Sequence, residues 1–324
     1  MNSKVRLTYT AGLLALALGS GMASAQTYPS KAITLIVPYT AGGTADSIGR
    51  NIGQALAQEL GGSVVVENKP GAGASLGTDF VAKSAPDGHT VLLVSTAALT
   101  IYPNLYKANY DPLKDLVPLQ SVAIAPVALA ATKLLKAEDF RTMLKEAKAK
   151  PGSIRFGTPG IGTNAHLGME ILGQNADAQL LHVPYKGNSQ AITDALGGVF
   201  ELLVTNADVV LPHAETQALR PLAVMAPARL NIWPDVPTLA ELGYGDAQYY
   251  SDFGLFLPVG VPEATLTKLK EAVAKISASE QYKTFLNNAK MQKGVGEGAQ
   301  YAEKIKTQHR VNAEVIKQAN IRPN

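Results

Sequence analysis

The chain has 324 residues, with 29 Lys and Arg against 26 Asp and Glu, a formal net charge of +3, and no cysteine. This near balance of charge excludes a strongly basic surface for nucleic acid. The absence of cysteine excludes disulfides and thiolate metal sites, so an apolar core must stabilise the fold.

The N-terminal segment has the features of a cleavable export signal. Lys4 and Arg6 precede an apolar stretch over 11–18, and the small-residue pattern Ala-Ser-Ala follows at 23–25. The apolar stretch is shorter than the roughly 20 residues that span a bilayer. We therefore expect residues 1–25 to be a signal peptide and the mature protein to lie in the periplasm; a retained membrane anchor is the alternative.

Strands and helices alternate along the mature chain, which predicts α/β architecture with parallel sheets and helices on both faces. A buried strand over 33–39 leads into a Gly-rich turn and a helix over 47–60, whose apolar positions recur at helical spacing. The remaining expected elements are strands over 64–67, 90–94, 180–183, 200–204, 222–225 and 253–257, an irregular connector over 111–119, an apolar run over 122–131, helices over 140–150, 189–196 and 209–216, and a largely helical segment from 262.

One short pattern occurs twice in the chain. The strand ITLIVPY runs into TAGGTAD and a helix, and the strand SIRF runs into GTPGIGT and a helix. Each turn leaves backbone N–H groups free at the positive end of a helix dipole, where an anion binds without a charged side chain. We therefore expect two lobes that hold a carboxylate between them.

The motifs PYTAGGTADSIGR, VVVENKPGAGASLG, FGTPGIGTNAHLG, VPYKGNSQAITDALGG and PDVPTLAELGY follow one another in this order. Together they resemble the extracytoplasmic solute-binding proteins of tripartite tricarboxylate transporters, the Bug or TctC-like family. The resemblance implies a type II periplasmic binding protein fold, in which two lobes, each a mostly parallel sheet flanked by helices, close over an organic anion. It also implies a monomer without enzymatic activity or cofactor, which does not bind nucleic acid and delivers its ligand to the membrane components of the transporter.

We expect the second lobe to be inserted into the first. The apolar run at 122–131 and the segment near Met225 are the expected crossings between them. This assignment gives residues 26–124 and 226–324 to the first lobe and residues 125–225 to the second.

The resemblance places the ligand contacts in the two Gly-rich loops. Ala41 and Gly42 are expected to present N–H groups to one carboxylate, and Asp46 either caps the helix or orders a water molecule. In the second loop, glycines allow close backbone approach and threonine hydroxyls bond to the anion. His166 is expected to pack or hydrogen-bond locally. With strand-end positions included, the predicted binding set is Tyr39, Ala41, Gly42, Thr44, Asp46, Ser95, Thr96, Thr158, Pro159, Gly160, Gly162, Thr163 and Thr205.

Thr205 departs from the family pattern. Many relatives carry an Asp there, in a segment resembling DLMFDN, where this chain reads ELLVTN. A threonine supplies no negative charge for an ammonium, which favours a di- or tricarboxylate or an aromatic acid over an amino acid. An amino acid or nicotinate-type ligand is the alternative.

A secreted hydrolase that uses Ser75 is a further alternative. The segment GASLG matches the GxSxG pattern of a nucleophile elbow. However, Ser75 falls within a predicted first helical turn and not at the sharp strand-to-helix corner that such a nucleophile requires.

Overall fold

The computed structural model describes residues 28–226, 228–318 and 321, so the expected signal peptide lies outside the described residues. The strands are β1 (Ile33–Val37), β2 (Val64–Asn68), β3 (Thr90–Ser95), β4 (Leu116–Ala125), β5 (Val127–Ala131), β6 (Arg155–Thr158), β7 (Leu181–Pro184), β8 (Leu202–Asn206), β9 (Arg220–Met225), β10 (Ser251–Pro258) and β11 (Gln292–Lys293). The helices are α1 (Thr44–Leu60), α2 (Ser75–Ala82), α3 (Ala97–Thr100), α4 (Tyr102–Leu105), α5 (Phe140–Ala149), α6 (Asn164–Asn175), α7 (Asn188–Gly197), α8 (Ala207–Glu215), α9 (Glu263–Ala278), α10 (Glu280–Asn288) and α11 (Gly298–Gln318).

The strands form two sheets. The first has the order β11-β4-β10-β3-β1-β2, and the second has the order β7-β6-β8-β5-β9. We call the part built on the first sheet the first unit and the part built on the second sheet the second unit. Helices flank both sheets, so the expected α/β architecture is confirmed.

The expectation of mostly parallel sheets is wrong. The β1 strand pairs in parallel with β2 and β3, and β6 pairs in parallel with β7 and β8. In contrast, β10 is antiparallel to β3 and β4, and β5 is antiparallel to β8 and β9. The chain passes from β4 in the first sheet to β5 in the second and returns from β9 to β10. Parallel neighbours need a crossover connection, usually a helix, whereas the antiparallel pairs of these four strands do not require one.

The expected irregular connector over 111–119 is corrected at its end, because β4 already begins at Leu116. Pro118 lies within this strand opposite Phe256, next to a shift in the pairing register. A bulge there accommodates a residue that has no N–H to donate to the ladder.

Both faces of each sheet are buried. On the first sheet, Ile33, Leu35 and Val37 pack with α1, whereas Ile36 faces a separate apolar cluster on the opposite side. On the second sheet, alternate residues of β5 likewise join different clusters. These two cores hold the strand ends, and the loops that follow them, in fixed positions.

The chain passes from the first unit to the second within one residue. The β4 strand ends at Ala125 and β5 begins at Val127, while the Pro126 carbonyl accepts a 2.8 Å hydrogen bond from the N–H of Ala207. The return runs between Met225 and Ser251. Among the helices of the described ranges, none is long and apolar enough to cross a lipid bilayer.

Candidate functional site

A cavity lies between the two units, beyond the carboxyl ends of β1, β3, β6 and β8, where ligands of open α/β sheets are found. Its empty volume is about 530 Å³, which includes the mouth open to solvent. The described residues that line it include no Asp, Glu, Lys, Arg or His. They are Tyr39, Thr40, Gly43, Thr44, Ala45, Gly73, Ser95, Ala97, Val127, Pro159, Thr163, Asn164, Ala165, Asn188, Thr205, Asn206, Ser251 and Phe253.

Four helices of two or more turns begin at this cavity. The α1 helix starts at Thr44, α6 at Asn164, α7 at Asn188 and α8 directly after Asn206, and all four of these residues line the cavity. The first N–H groups of a helix have no partner within it, and the helix dipole adds positive potential. A ring of such starts binds an anion without a charged side chain.

The sequence placed two of these helix starts at the ligand; it predicted helices over 189–196 and 209–216 but not that they begin at the cavity. The signals that were available are Gly187 before α7 and Asn206 before α8, since Gly and Asn both favour the N-cap position. The α1 helix also begins at Thr44, three residues earlier than expected, so that Thr44 and Ala45 belong to its first turn.

In the first loop, the Asp46 carboxylate forms hydrogen bonds with neighbouring groups of the protein. Its Oδ2 accepts hydrogen bonds of 2.9 Å from the N–H of Gly42 and from Nε of Arg50. Burial raises the pKa of Asp46, but the bonds from Arg50 and Gly42 outweigh it and hold this pKa below its ordinary value. In this structure Asp46 therefore accepts the hydrogen of the Gly42 N–H that was expected to contact a ligand carboxylate.

Ala41 is turned away from the cavity as well. Ala41 and Gly42 are both exposed and do not line it, whereas Gly43, Thr44 and Ala45 do. The Ala41 carbonyl accepts a short hydrogen bond from the Ser189 hydroxyl of the second unit. The loop thus contributes its last residues to the cavity and its first residues to a contact between the units.

The polar side chains of the second loop also form hydrogen bonds within the protein. The Thr158 hydroxyl lies 2.7 Å from Nε2 of His182 and 3.2 Å from the carbonyl oxygen of Gly160, and its side chain is fully buried. The Thr163 hydroxyl donates to the Gly160 carbonyl at 2.8 Å. Pro159 and Thr163 line the cavity, but Thr158, Gly160 and Gly162 do not. The Thr158 hydroxyl, expected to bond to the ligand, is therefore bonded within the protein in this structure.

His166 has the local role expected of it. Its Nδ1 accepts a 3.2 Å hydrogen bond from the N–H of Gly162, and its own N–H is capped by Thr163. The ring stacks on His182 with centroids 4.2 Å apart. Burial lowers the pKa of His166 to about 4 and, together with the neighbouring His166, that of His182 to about 3. Both imidazoles are neutral near pH 7 and supply no positive charge to the cavity.

A continuous set of side-chain hydrogen bonds links the two units at the cavity. The Thr205 hydroxyl donates to Asn188 Oδ1 at 2.6 Å, Asn188 Nδ2 donates to Thr44 Oγ1 at 3.3 Å, and the Thr44 hydroxyl donates to Asp208 Oδ1 at 3.0 Å. We call these four residues the interlobe chain. Burial raises the pKa of Asp208 to about 7, although bonds from Thr44 and from backbone N–H groups at the start of α8 lower it.

Polar groups on the opposite wall are only partly used. The Ser95 N–H donates to the Tyr39 hydroxyl at 3.3 Å, and Asn164 Nδ2 lies 3.5 Å from Ser95 Oγ. Ser251 donates to Asn206 Oδ1 at 2.8 Å, and both residues line the cavity. Of the predicted strand-end residues, Ser95 and Thr205 line the cavity, whereas Thr96 lines a separate groove near Asn312.

Thr40 is a residue that sequence reasoning missed. It lines the cavity, and its buried hydroxyl has no hydrogen-bond partner among the described residues. A buried hydroxyl without a partner is costly, which fits a group that bonds to a ligand. Nothing in the sequence of this loop distinguishes Thr40 from Thr44.

The two units touch closely around the cavity. A Cβ built on Gly73 would lie 2.1 Å from the Ile161 carbonyl oxygen of the second unit. A Cβ on Gly187 of the second unit would lie 2.1 Å from Thr40 Oγ1 of the first. Because the backbones approach this closely on both sides, the structure represents a closed arrangement.

Ser75 lacks the surroundings of a nucleophile. It is buried in the first turn of α2, does not line the cavity, and hydrogen-bonds the Tyr110 hydroxyl. A hydrolytic serine requires a neighbouring base and an accessible position. Among the described residues there is also no cluster of three or more His, Asp or Glu that could hold a metal ion.

Residues 48–321 match the family model described as "Tripartite tricarboxylate transporter family receptor", TctC. The chain is 36% identical over 255 residues to protein BugT of Bordetella pertussis, which covers 77% of each chain. The chain therefore belongs to the TctC family of receptors, whose relatives of known structure are solute-binding proteins and not enzymes. This finding overturns the hydrolase alternative.

Solved structures agree with this assignment. The periplasmic binding protein BugD superposes with a TM-score of 0.86 at 27% identity over 92% of this chain and all of its own. A Rhodopseudomonas palustris protein with adipate gives 0.87 at 28% identity over 92% of this chain and all of its own. MatC from the same organism, with bound malate, gives 0.84 at 25% identity over 89% of this chain and all of its own. The expected two-lobe binding-protein fold is confirmed.

Proposed function

We propose that this protein captures a small organic carboxylate in the cavity between its lobes and delivers it to the membrane components of a tripartite tricarboxylate transporter. The observation that carries this proposal is the uncharged cavity at which α1, α6, α7 and α8 all begin. Helix starts offer N–H donors and positive potential, so the group they hold is an anion. The adipate and malate complexes of similar proteins support a carboxylate.

The same wall chemistry disfavours an amino acid. An ammonium group that leaves water needs a negative partner, and burying it without one is costly. None of the lining residues is a carboxylate, and Asp46, the acidic residue of the first loop, is paired with Arg50. A purely anionic acid is therefore the ligand that the cavity fits best.

We assign the lobes to residues 26–124 with 226–324 and to residues 125–225, although Ala125 pairs within the first sheet and Leu239 and Ala247 pack in the core of the second. Hinge closure between them excludes water from the bound acid and gives the transporter a surface that differs between loaded and empty protein. The export signal at 1–25 directs the protein to the periplasm, where it acts as a monomer. The predicted contacts at Tyr39, Thr44, Ser95, Pro159, Thr163 and Thr205 are retained, and we add Thr40, Asn164, Asn188 and Asn206.

Isothermal titration calorimetry tests the proposal directly. The folded protein is titrated with di- and tricarboxylates, aromatic acids and amino acids, and the tightest acid is then compared with its neutral amide. We expect one-to-one binding of at least one acid and a loss of at least about tenfold for the amide, since a hydrogen bond to a charged group contributes about 1.5–3 kcal/mol. Folded protein that binds none of these acids, or binds the amide equally well, would contradict the proposal.

A further inference from the structure

The interlobe chain fixes where its hydrogen atoms point. A threonine hydroxyl has one hydrogen and two lone pairs. Thr44 spends its hydrogen on Asp208, and Thr205 spends its hydrogen on Asn188. Both hydroxyls therefore face any further partner as acceptors, although both line the cavity.

The distances support this orientation of the Asn188 amide. The contact between Thr205 Oγ1 and Asn188 Oδ1 is 2.6 Å, and that between Asn188 Nδ2 and Thr44 Oγ1 is 3.3 Å. Hydrogen bonds between two oxygens are typically shorter than those that involve an amide nitrogen. A rotated amide would place nitrogen at the short contact and oxygen at the long one.

Asp208 sets the direction of the whole chain. Above its pKa of about 7, the Asp208 carboxylate only accepts, so Thr44 must donate to it, and Thr44 is then an acceptor for Asn188 Nδ2. This leaves the Asn188 carbonyl as the acceptor for Thr205. Among the described residues, Asp208 forms no ion pair with Lys, Arg or His that would divert its charge. It does not line the cavity and acts on the ligand through Thr44 and Asn188.

Thr205, like Ser251, has donated its hydroxyl hydrogen and presents lone pairs to the cavity. It is 1% exposed, and its oxygen retains two lone pairs that no described donor uses. The helix starts and the hydroxyl of Thr40, by contrast, are sources of hydrogen. A buried acceptor without a donor is costly, so a ligand gains affinity by bringing a hydrogen to Thr205.

We infer that the ligand is a hydroxy acid whose hydroxyl donates to Thr205, and that Asp208 is the positioning residue that makes Thr205 an acceptor. This inference rests on the proposed function, because it concerns a second group of the same bound acid. The helix starts hold the carboxylate, and Thr205 selects for the hydroxyl. A site that bonds to a ligand hydroxyl disfavours the analogue that lacks it.

The test compares acids that differ by one hydroxyl. Calorimetry at pH 8.5, where Asp208 is ionised, is run with malate against succinate, 2-hydroxyglutarate against glutarate, and 4-hydroxybenzoate against benzoate. For the pair of the preferred length we expect the hydroxy acid to bind about 3- to 10-fold more tightly, the range of one neutral hydrogen bond. The ratio of the two dissociation constants is the readout.

Variants then distinguish a positioning role of Asp208 from a general effect on ligand binding. Thr205→Val removes the acceptor, and Asp208→Ala releases the Thr44 hydrogen so that the chain can reverse; both should bring the ratio to within about twofold of one. Glu215→Ala removes the same charge from the exposed end of the same helix and should keep the wild-type ratio. This control excludes an effect of net charge alone.

The possible failures are distinguishable. Folded wild-type protein that binds the plain acid of every pair as tightly as its hydroxy acid would overturn the inference and leave the carboxylate proposal intact. An unchanged ratio in Asp208→Ala would overturn the role of Asp208. Binding of no acid at all would overturn the proposed function itself.

Discussion

The hydroxyl of Thr44 donates a 3.0 Å hydrogen bond to the carboxylate of Asp208, and this bond joins the first helix of one lobe to a helix start of the other. Asn188 extends the same connection back to the cavity wall. The contacts that hold the lobes together are thus also contacts that orient the polar groups around the ligand. Substitutions here should change ligand affinity more than the free energy of unfolding.

Asn188→Ala should weaken ligand binding by about tenfold or more. The substitution removes bonds to Thr44 and Thr205 and leaves buried partners unsatisfied in the closed state, at about 1–3 kcal/mol for each group. Calorimetry with the tightest acid measures the loss. Asn175→Ala, at the exposed end of α6, is the matched control and should bind as wild type. Equal affinities for the two variants would show that the interlobe chain does not contribute to binding.

Gly73→Ala should disfavour lobe closure. The new Cβ would lie 2.1 Å from the Ile161 carbonyl oxygen of the other lobe, and the residue also has φ of +58°. Gly61 has φ of +65° with nothing within 4 Å of its Cβ, so Gly61→Ala carries the same backbone strain without the contact. We expect at least about tenfold weaker binding for Gly73→Ala, equivalent to about 1.4 kcal/mol, and near wild-type binding for Gly61→Ala. Comparable affinities for both would show that only strain was measured.

Thr205→Asp should reduce the affinity for dicarboxylates by tenfold or more. Unit charges about 4 Å apart repel by roughly 4 kcal/mol at an effective dielectric of 20, and solvent reduces this value. A zwitterionic amino acid should lose less, because its ammonium can pair with the new carboxylate. Titration with succinate and aspartate measures the shift, with Thr205→Asn as the uncharged control. The same loss for both ligands would remove Thr205 from the site.

The stacked histidines should make the fold sensitive to acid. Their pKa values of about 4 and 3 lie below the ordinary 6.5. Between pH 6.5 and these lower values, the unfolded chain therefore binds more protons than the folded protein. The contribution of each neutral imidazole to the free energy of unfolding is fully present above pH 6.5 and is lost as the pH falls toward 4.

Urea unfolding of wild type and of His182→Phe at pH 7.5 and 4.5 measures this loss. Phe keeps the stacking on Phe156 but removes a titrating group. The fall in unfolding free energy between the two pH values should be smaller in the variant by about 2 kcal/mol, since one pKa unit corresponds to 1.36 kcal/mol. An identical fall in both proteins would show that His182 is not kept neutral by the fold.

Much of the fold was predictable from the sequence because strong local signals carry it. The apolar runs at β1, β5 and β8 and the Gly-rich turn before α1 mark buried strands and a helix start without reference to the rest of the chain. The mixed strand directions were not predictable in this way. They depend on the chain leaving the first sheet from β4 to β5 and returning from β9 to β10, which is a property of the whole topology.

The location of the site was predictable from the sequence, but the atoms available to a ligand were not. Thr44, Thr163 and Thr205 look alike in the sequence, yet each donates its hydroxyl hydrogen to a different partner, while Thr40 has no partner among the described residues. Asn188 and Asp208 lie in the first turns of α7 and α8, far from Thr44 in the chain, and only the closed arrangement brings them together. Such pairings depend on distances of a few tenths of an ångström, which residue patterns do not encode.

A crystal structure of the protein with its tightest-binding acid is the most direct test of the carboxylate site. We expect the acid in the cavity between the lobes, with one carboxylate within hydrogen-bond distance of the first N–H groups of α1 or α6, at Thr44, Ala45, Asn164 or Ala165. A bound acid that has no carboxylate at these N–H groups, or one that lies outside the cavity, would contradict this assignment.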